Sequence, residues 1–295
     1  MESELKARIR SNLFEAAWPA VERWDKSQWH LGARGVCDTG RPHSSQALAI
    51  DVFGTLKSSA DRDVAMDAVA AELGLEPGGG WKIELERCVR RDLLNEKRQT
   101  QVDAVARSPR NLIFFECKFT EPEGGSCSQT RPLDNGKHKG MKQCNGTYEE
   151  QHNPVNGSWS RCALTGKGIR YWNLVPEVFK LEADRDHRPC PFSGSWFQWM
   201  RNLVACRAEA RVEGLHPAFV VVFADGPGLP MAEFDWGKFS ATLRKDVVRF
   251  HVLAFQRLTA LAQSAVQESG GDARLWKSLA EWVERKIDRV CGQRA

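Results

Sequence analysis

The chain has 295 residues, of which 42% are hydrophobic and 27% charged, enough apolar material for a sizeable core. Its net charge of +4 permits a polyanionic partner without requiring one. No apolar run of about eighteen residues could cross a bilayer, and the charged, amphipathic start lacks the apolar centre of a signal peptide. Nine scattered cysteines without an export signal favour thiols or metal ligands over disulfides. These features predict a soluble, cytoplasmic protein.

The first third of the chain is predicted to be helical. Apolar spacing indicates a first helix that runs to about Trp29, with Pro19 as a break. After a loop rich in Gly, Asp and Pro, the stretch SSQALAIDVFGTL predicts a helix that begins at a serine cap and ends near Gly54. DRDVAMDAVAAELGL then predicts a second amphipathic helix, which Gly74 closes.

Three strands are predicted next, in the segments WKIELERCV, QVDAVA and NLIFFECKF. The polar turn SPRN is short enough to join the last two as an antiparallel hairpin. Further along, SWFQWMRNLVACRAEARVEG predicts a helix from about Ser195 to Gly214, and AFVVVFADG is typical of a buried strand. The last third predicts two helices, over Trp236–Gln267 and Ala273–Val290.

The order of these elements predicts a single α/β domain over residues 1–295. Its parts are a core at about 44–226, an irregular insertion at about 121–194 with a short helix near Met141–Gln151, and a helical C-terminal part at about 235–292. A loop as long as this insertion is usually functional or braced by a metal.

Three charged residues interrupt the two most apolar strands. Glu116 and Lys118 are two positions apart, so their side chains leave the same face of one strand. In a hairpin centred on Pro109, Asp103 lies opposite the neighbourhood of Glu116. Two carboxylates and an ammonium therefore converge on one face, whereas Phe115 points towards a core on the other. The alternative is an ordinary ion-pair cluster on a solvated strand face, which the flanking aromatics disfavour.

Such a group has a clear chemical use. Two carboxylates that lie close together repel each other unless a cation sits between them. Mg²⁺ suits them because it prefers oxygen ligands and keeps waters for exchange. Next to a phosphodiester it would polarise a phosphoryl oxygen and activate an attacking water, while Lys118 stabilises the developing negative charge. The peptide carbonyl of Cys117 is a further candidate ligand, whereas its side chain should point to the apolar face.

Asp103 followed by Glu116-Cys117-Lys118 resembles the D…(D/E)-x-K signature of the PD-(D/E)XK nuclease superfamily. The resemblance implies a restriction-endonuclease-like αβββαβ core with a mixed central sheet over residues 44–226. It also implies Mg²⁺ or Mn²⁺ bound by Asp103 and Glu116, Lys118 as the catalytic lysine, and endonucleolytic hydrolysis of nucleic acid, with DNA preferred to RNA. Many such nucleases pair two active sites, so a homodimer is open. The sequence departs from the motif name in having Val102, not Pro, before Asp103.

The segments HSSQ and ECKFTEP are also similar to those of an uncharacterised bacterial branch of that superfamily. A further acidic ligand often comes from the first helix or first strand of such a core. Four acids compete for this role, and Glu86 is preferred; the four are Asp51, Glu84, Glu86 and Glu96.

Other polar residues are candidates for accessory roles. Gln198, Arg201 and Asn202 lie within one turn of a predicted helix and either contact phosphate or form an exposed helix face. Basic clusters at 87–91, 137–142 and 161–170 would cradle a phosphate backbone if they lie on one surface. Aromatics interleave with them and would stack on unpaired bases unless they turn inward, namely Trp159, Tyr171 and Trp172.

The insertion holds Cys127, Cys144, Cys162 and Cys190, which are candidates for a structural zinc site. No C-x-x-C knuckle occurs among them, so their spacing favours reduced, buried thiols over Zn²⁺. For the whole chain, two alternatives to a nuclease stay open. One is a catalytically inactive nucleic-acid-binding protein of the same fold, and the other is an interaction scaffold whose charged trio is an ion-pair network.

Overall fold

The structure is a computed structural model that describes residues 2–25, 27–30 and 37–292. At its centre is a five-stranded mixed sheet. In chain order the strands are β1 (Lys82–Cys88), β2 (Gln101–Arg107), β3 (Asn111–Lys118), β4 (Gln151–His152), β5 (Trp159–Ser160), β6 (His216–Phe223) and β7 (Arg249–Ala254). The central sheet has the order β1-β2-β3-β6-β7, and β4 and β5 pair separately as a small hairpin. The first three strands are antiparallel, whereas β6 and β7 continue the sheet in parallel with β3.

Helices cover both faces of this sheet. They are α1 (Glu2–Ser11), α2 (Ser45–Ala49), α3 (Thr55–Ser58), α4 (Arg62–Glu72), α5 (Arg91–Leu94), α6 (Tyr171–Val178), α7 (Phe197–Glu213), α8 (Trp236–Ala241), α9 (Phe255–Glu268) and α10 (Arg274–Cys291). A π-helical turn, Ile50–Gly54, joins α2 to α3. The helix predicted from SSQALAIDVFGTL therefore exists, and Ser44 caps its first turn as expected because its hydroxyl accepts the Ala47 amide.

Strand β3 separates two apolar clusters, and all eight of its residues are buried. Ile113, Phe115 and Cys117 point into the cluster formed with α4, α9 and α10. Leu112 and Phe114 point to the other side, into the cluster formed with α6 and α7. The predicted alternation of faces along NLIFFECK is thus confirmed, and the face shared by Phe114 and Glu116 is the one that α7 covers.

The order helix, three strands, helix, strand is present as predicted over 44–226, and the chain is of the mixed α/β class. One prediction in the C-terminal third is wrong. The segment predicted as a single helix over Trp236–Gln267 contains α8, then β7, and only then α9. Val247, Phe250 and Leu253 imitate helical spacing, but Phe250 and Leu253 lie on a short edge strand paired with Phe219 and Val222 of β6.

Two other helix predictions differ from the structure. The helix near Met141–Gln151 is wrong: this stretch forms turns, because the Asn145 side chain accepts the Thr147 amide and Gly146 adopts a positive φ of 92°. The N-terminal helix ends at Ser11 rather than near Trp29, and a 3₁₀ helix that contains Pro19 follows it. The loop predicted before Ser44 begins with residues 31–36, which lie outside the described residues.

The insertion contains one helix that the sequence did not indicate, α6, which packs on α7. The remainder of residues 121–194 has little regular structure. The start of the insertion is attached to α7, since the main-chain amide of Gln198 donates to the Gly124 carbonyl at 2.8 Å. Gly124 lies so close to the Trp199 ring that a Cβ atom there would be 2.5 Å from it, which leaves no room for a side chain. The division of the chain into a single domain stays a prediction.

Candidate active site

The strand register places three carboxylates in a row across β1, β2 and β3. Leu85 and Arg87 pair with Ala104 and Val102, so Glu86 between them lies opposite Asp103. The pairing of Ala104 with Phe115, continued by one residue, places Asp103 opposite Glu116. Facing residues in antiparallel strands have Cβ atoms about 5 Å apart. The hairpin therefore brings Asp103 and Glu116 together as the sequence predicted, and adds Glu86 to the row.

Glu116 and Lys118 form a buried ion pair at the base of this row. Their residues are 1% and 6% exposed, and the Lys118 Nζ lies 2.6 Å from Glu116 Oε1. Helix α7 completes the arrangement: Lys118 also donates to Gln198 Oε1 at 3.1 Å, and the Asn202 amide donates to Glu116 Oε2 at 2.7 Å. Because these side chains are buried, the solvated strand face considered above is excluded.

Asp103 lies closer to the surface and lines a cleft. Its Oδ2 accepts the main-chain amide of Cys117 at 2.6 Å, a bond that ties β2 to β3 at the site. Burial, followed by the charges of Glu116 and Glu86, raises the pKa of the Asp103 carboxyl well above its usual value. The site therefore has an excess of negative charge that a cation would relieve.

Lys118 is held in its charged form. Burial alone would lower the pKa of this ammonium, but the carboxylates of Glu116 and Asp103 outweigh burial and raise it. The Cys117 side chain lies on the opposite face of β3 from Lys118. It is buried on the apolar face, as predicted, and burial raises the pKa of its thiol well above the usual value.

Glu86 is held by three polar side chains. Gln46 donates to its Oε1 at 2.7 Å, Gln101 donates to Oε2 at 2.7 Å, and His30 Nε2 lies 3.3 Å from Oε2. The hydrogen bond with Glu86 raises the pKa of His30. Glu86 also adopts a positive φ of 49°, which is uncommon for a residue with a side chain and costs backbone energy. The hydrogen bonds from Gln46 and Gln101 hold the side chain in this position.

The other acids considered from the sequence lie elsewhere. Asp51 is fully buried in an ion pair with Lys286, 2.5 Å away on α10. Glu84 lies 3.3 Å from Arg87, and Glu96 bonds Thr100. The structure thus brings only Glu86 of the four to the row of carboxylates.

Glu121 is an acidic residue near the site that sequence reasoning missed. Its Oε2 accepts the Phe119 amide at 2.8 Å, and its Oε1 accepts the Ser45 hydroxyl at 2.6 Å. Burial would raise the pKa of Glu121, but the bond from Ser45 and the charge of Lys118 outweigh burial and lower it. Its position three residues after Lys118 was the available signal. Gln46 belongs to HSSQ, a segment noted above only for its resemblance, and His30 had no signal, because tertiary folding alone brings these two residues to β1.

A cleft of about 500 Å³ opens over Asp103 and Glu86. Four basic side chains contribute to its lining, namely Lys97, Arg98, Lys167 and Arg201. Arg201 is fixed by Glu96 at 3.1 Å and by the Thr100 hydroxyl at 3.0 Å, and the Tyr171 hydroxyl also donates to Glu96. Gln198 also lines the cleft, so two of the three accessory residues predicted on α7 face it, whereas Asn202 is buried against Glu116.

The structure gives members of the predicted basic clusters different surroundings. Arg87 pairs with Glu209, and Arg161 with Glu150 and Asp186, whereas Lys167 of the third cluster reaches the cleft. The interleaved aromatics also divide. Tyr171 and Trp172 are buried, and Trp172 stacks on Tyr148, whereas Trp159 is 66% exposed.

As they stand, no three His, Cys, Asp or Glu side chains within residues 2–25, 27–30 and 37–292 are placed so that they could hold a metal ion. In the same part of the chain, no helix is both long and apolar enough to cross a membrane.

Comparison with known protein families gives a match over nearly the whole chain. Residues 11–282, which include every strand and the row of carboxylates, match the family model described as "Restriction Endonuclease associating with ARP". No curated protein and no solved structure matches the chain. On the extent of this match, the chain belongs to the family of restriction endonucleases associating with ARP.

Proposed function

We propose that this protein is a Mg²⁺-dependent nuclease of the PD-(D/E)XK type that hydrolyses phosphodiester bonds in DNA. The observation that carries the proposal is the row of Glu86, Asp103 and Glu116 on three adjacent strands, with Lys118 buried beside it under an open cleft. A purely structural ion-pair network needs no third carboxylate beside one ammonium, and it has no use for a cleft above it.

The chemistry of these donors fits a hard divalent cation. Carboxylates outnumber ammonium groups at the site, and burial, followed by the charges of Glu116 and Glu86, raises the pKa of Asp103. Asp103 and Glu116 would hold Mg²⁺ or Mn²⁺, with the Cys117 main-chain carbonyl and Glu86 as further ligands. When bound, such a cation acts as a Lewis acid that polarises a phosphoryl oxygen and makes an attacking water more acidic.

The chain's own residues supply the remaining functions. Lys118 keeps its proton, so it offers a fixed positive charge to the negative charge that develops on the phosphate. Gln198 accepts a hydrogen bond from Lys118 and orients it towards the cleft. Asn202 holds Glu116 from the opposite side, which limits the rotation of the carboxylate. These contacts preorganise the site before a substrate arrives.

Basic side chains at the cleft support a phosphate-containing substrate. Burial, followed by the nearby ammonium of Lys97, lowers the pKa of Lys167, so two like charges are held near each other. A phosphate would relieve this repulsion. Arg201 adds a third cation to this lining, held in place by Glu96 and Thr100. We therefore place the substrate backbone along this side of the cleft.

Cleavage assays test the proposal directly. The full chain, incubated with Mg²⁺ or Mn²⁺, is expected to cut at least one of plasmid, linear, single-stranded or branched DNA. RNA serves as the competing substrate class. Asp103→Asn and Lys118→Met should abolish cutting, whereas Asp288→Asn and Lys277→Ala, exposed charges on α10, should not. Equal cutting by all five proteins would refute the assignment.

Sedimentation with and without DNA tests whether two chains associate to cut two strands.

One observation favours a second candidate, a catalytically inactive DNA-binding protein of the same fold. Both carboxylate oxygens of Glu116 already accept hydrogen bonds, from Lys118 and Asn202. A protein that binds DNA in the cleft but shows no metal binding and no cleavage on any substrate would support this candidate over the nuclease.

A further inference from the structure

The four cysteines of the insertion meet at one place. Cys127, Cys144, Cys162 and Cys190 come from four separate loops, and all four line the same small cavity of about 20 Å³. A cavity of this size holds about one water-sized sphere. The other five cysteines of the chain lie elsewhere, and none of the nine forms a disulfide. Convergence of four thiols from distant positions is not expected of cysteines that serve only as small apolar residues.

The loops that carry these cysteines contain little regular secondary structure. Between β3 and α6 the only regular elements are two short 3₁₀ helices and the hairpin of β4 and β5, whose strands have two residues each. The fourth cysteine follows α6 in another irregular stretch. A segment with so little regular structure ordinarily needs a cross-link or a bound metal to adopt one conformation.

Local hydrogen bonds also resemble the surroundings of a thiolate ligand. The Gly146 amide donates to Cys144 Sγ at 3.4 Å, and Gly146 accepts the Cys190 amide at 2.9 Å, which joins two of the cysteine loops. Cys127 is joined to the last loop in the same way, since its amide donates to the Ser193 carbonyl. Only the first of these bonds reaches a sulfur atom, and a hydrogen bond to a ligand atom helps to orient it in a metal site.

We propose that Cys127, Cys144, Cys162 and Cys190 bind one structural Zn²⁺ that braces the insertion. Four thiolates satisfy the tetrahedral, sulfur-rich coordination of structural zinc sites, with Zn–S distances of about 2.3 Å. The thiols do not yet form a finished coordination shell. Turning a cysteine side chain from one staggered rotamer to the next moves its sulfur by about 3 Å, enough to close a shell around a cavity this small. An iron–sulfur cluster would need more room than one water-sized sphere.

The zinc site has a consequence for the cleft beside it. Gln129, two residues after Cys127, lines both the thiol cavity and the cleft. It accepts a hydrogen bond from Lys167, which also lines the cleft. Binding of Zn²⁺ would therefore fix one wall of the cleft, although its ligands are distinct from those proposed for Mg²⁺.

Elemental analysis of the full chain, purified without chelator or a metal-affinity tag, tests the site. We expect about one zinc per chain, released when the thiols are modified. The double variant Cys144→Ser/Cys190→Ser should lose the zinc, whereas Cys88→Ser, at an exposed cysteine of β1, should retain it. Asp103→Asn should also retain it, which separates this site from the carboxylate site. Zinc retained by the double variant would overturn the proposal.

A second measurement needs no variant, in case the double variant does not fold. Wild-type protein reconstituted with Co²⁺ should show the visible bands and thiolate charge-transfer band of a tetrahedral sulfur site. Limited proteolysis should cut within residues 121–194 only after chelation. The proposal is wrong if reconstituted wild type binds neither Zn²⁺ nor Co²⁺, if it contains iron and sulfide, or if alkylation and mass spectrometry show two disulfides among the four cysteines.

Discussion

Lys118 Nζ lies 2.6 Å from Glu116 Oε1, and both side chains are buried on the face of β3 that α7 covers. Because the two residues are two positions apart on one strand, the pair is built by strand geometry alone. The partners that complete it, Gln198 and Asn202, come from α7 and lie far along the chain. The pair is therefore both a part of the core and the base of the proposed active site.

Lys118→Met is expected to lower the free energy of unfolding and to abolish cleavage. Removing the ammonium leaves the Glu116 carboxylate buried without its cation, and breaking a buried pair in this way costs about 3–5 kcal/mol. Denaturant unfolding without metal measures the first effect. Cleavage under conditions where the variant is still folded measures the second, and we expect a loss on the order of a hundredfold or more.

The double variant Glu116→Gln/Lys118→Met separates the two roles of the pair. With the buried charge removed, the free energy of unfolding should recover much of what Lys118→Met lost, because an uncharged pair needs no counterion. Activity should not recover. A double variant as unstable as Lys118→Met alone would show that the pair contributes through packing and not through charge.

Asp103→Asn should stabilise the metal-free protein while abolishing the metal response. The amide oxygen of Asn can still accept the Cys117 amide, so the bond between β2 and β3 survives. The change removes a carboxyl group whose pKa is raised by burial and by the charges of Glu116 and Glu86. Mg²⁺ at a hundred times its dissociation constant should stabilise wild type by about 2.7 kcal/mol and the variant by much less. An equal response of both proteins to Mg²⁺ in thermal unfolding would argue against a site at Asp103.

Glu86→Gln is expected to weaken metal binding, with Glu84→Gln as the matched control two residues away on β1. Glu86 faces Asp103, whereas the Glu84 side chain is 52% exposed and pairs with Arg87. Removal of a carboxylate ligand should raise the dissociation constant for Mn²⁺ about 10-fold or more. Isothermal titration calorimetry measures the dissociation constant for Mn²⁺ of each variant. If their affinities are equal, Glu86 is a positioning residue held by Gln46 and not a ligand.

The part of the site that could be predicted from the sequence is the part built from contacts between residues close together in the chain. The facing of Asp103 and Glu116 depends on a short hairpin and an alternating pattern, and both can be predicted from a few residues. The choice of Glu86 from four acids rested on the resemblance, and its contacts with His30 and Gln46 come from chain segments 40 or more residues away. The sequence of β1 itself contains no pattern that predicts these contacts.

The same distinction explains the errors in the fold. Strand β7 was missed because a short edge strand with apolar residues at Phe250 and Leu253 also satisfies helical spacing. For the four insertion cysteines, spacing without a C-x-x-C knuckle favours plain thiols and leaves a zinc site open, and neither interpretation predicts that the four would meet. Their convergence on one cavity depends on how four loops pack, and sequence spacing does not record that packing.

The last prediction concerns the basic side of the cleft. Lys97 and Arg98 are exposed, line the cleft and lie on the same side as Lys167. Neutralising a phosphate releases condensed counterions, so each such contact adds about one unit to the slope of log affinity against log salt. Lys97→Ala and Arg98→Ala should each weaken DNA binding and reduce that slope by about 0.7–0.9. Lys277→Ala, on α10, should change neither quantity.

Fluorescence anisotropy over a series of salt concentrations, with Ca²⁺ in place of Mg²⁺ to suppress cutting, measures the slope for each protein. The double variant Lys97→Ala/Arg98→Ala should lose about two phosphate contacts if both residues touch the backbone of one bound strand. Its stability should be unchanged, since neither side chain is buried. If the double variant binds DNA with the wild-type slope, the nucleic-acid backbone does not lie along this side of the cleft. The substrate then crosses Asp103 in a different direction.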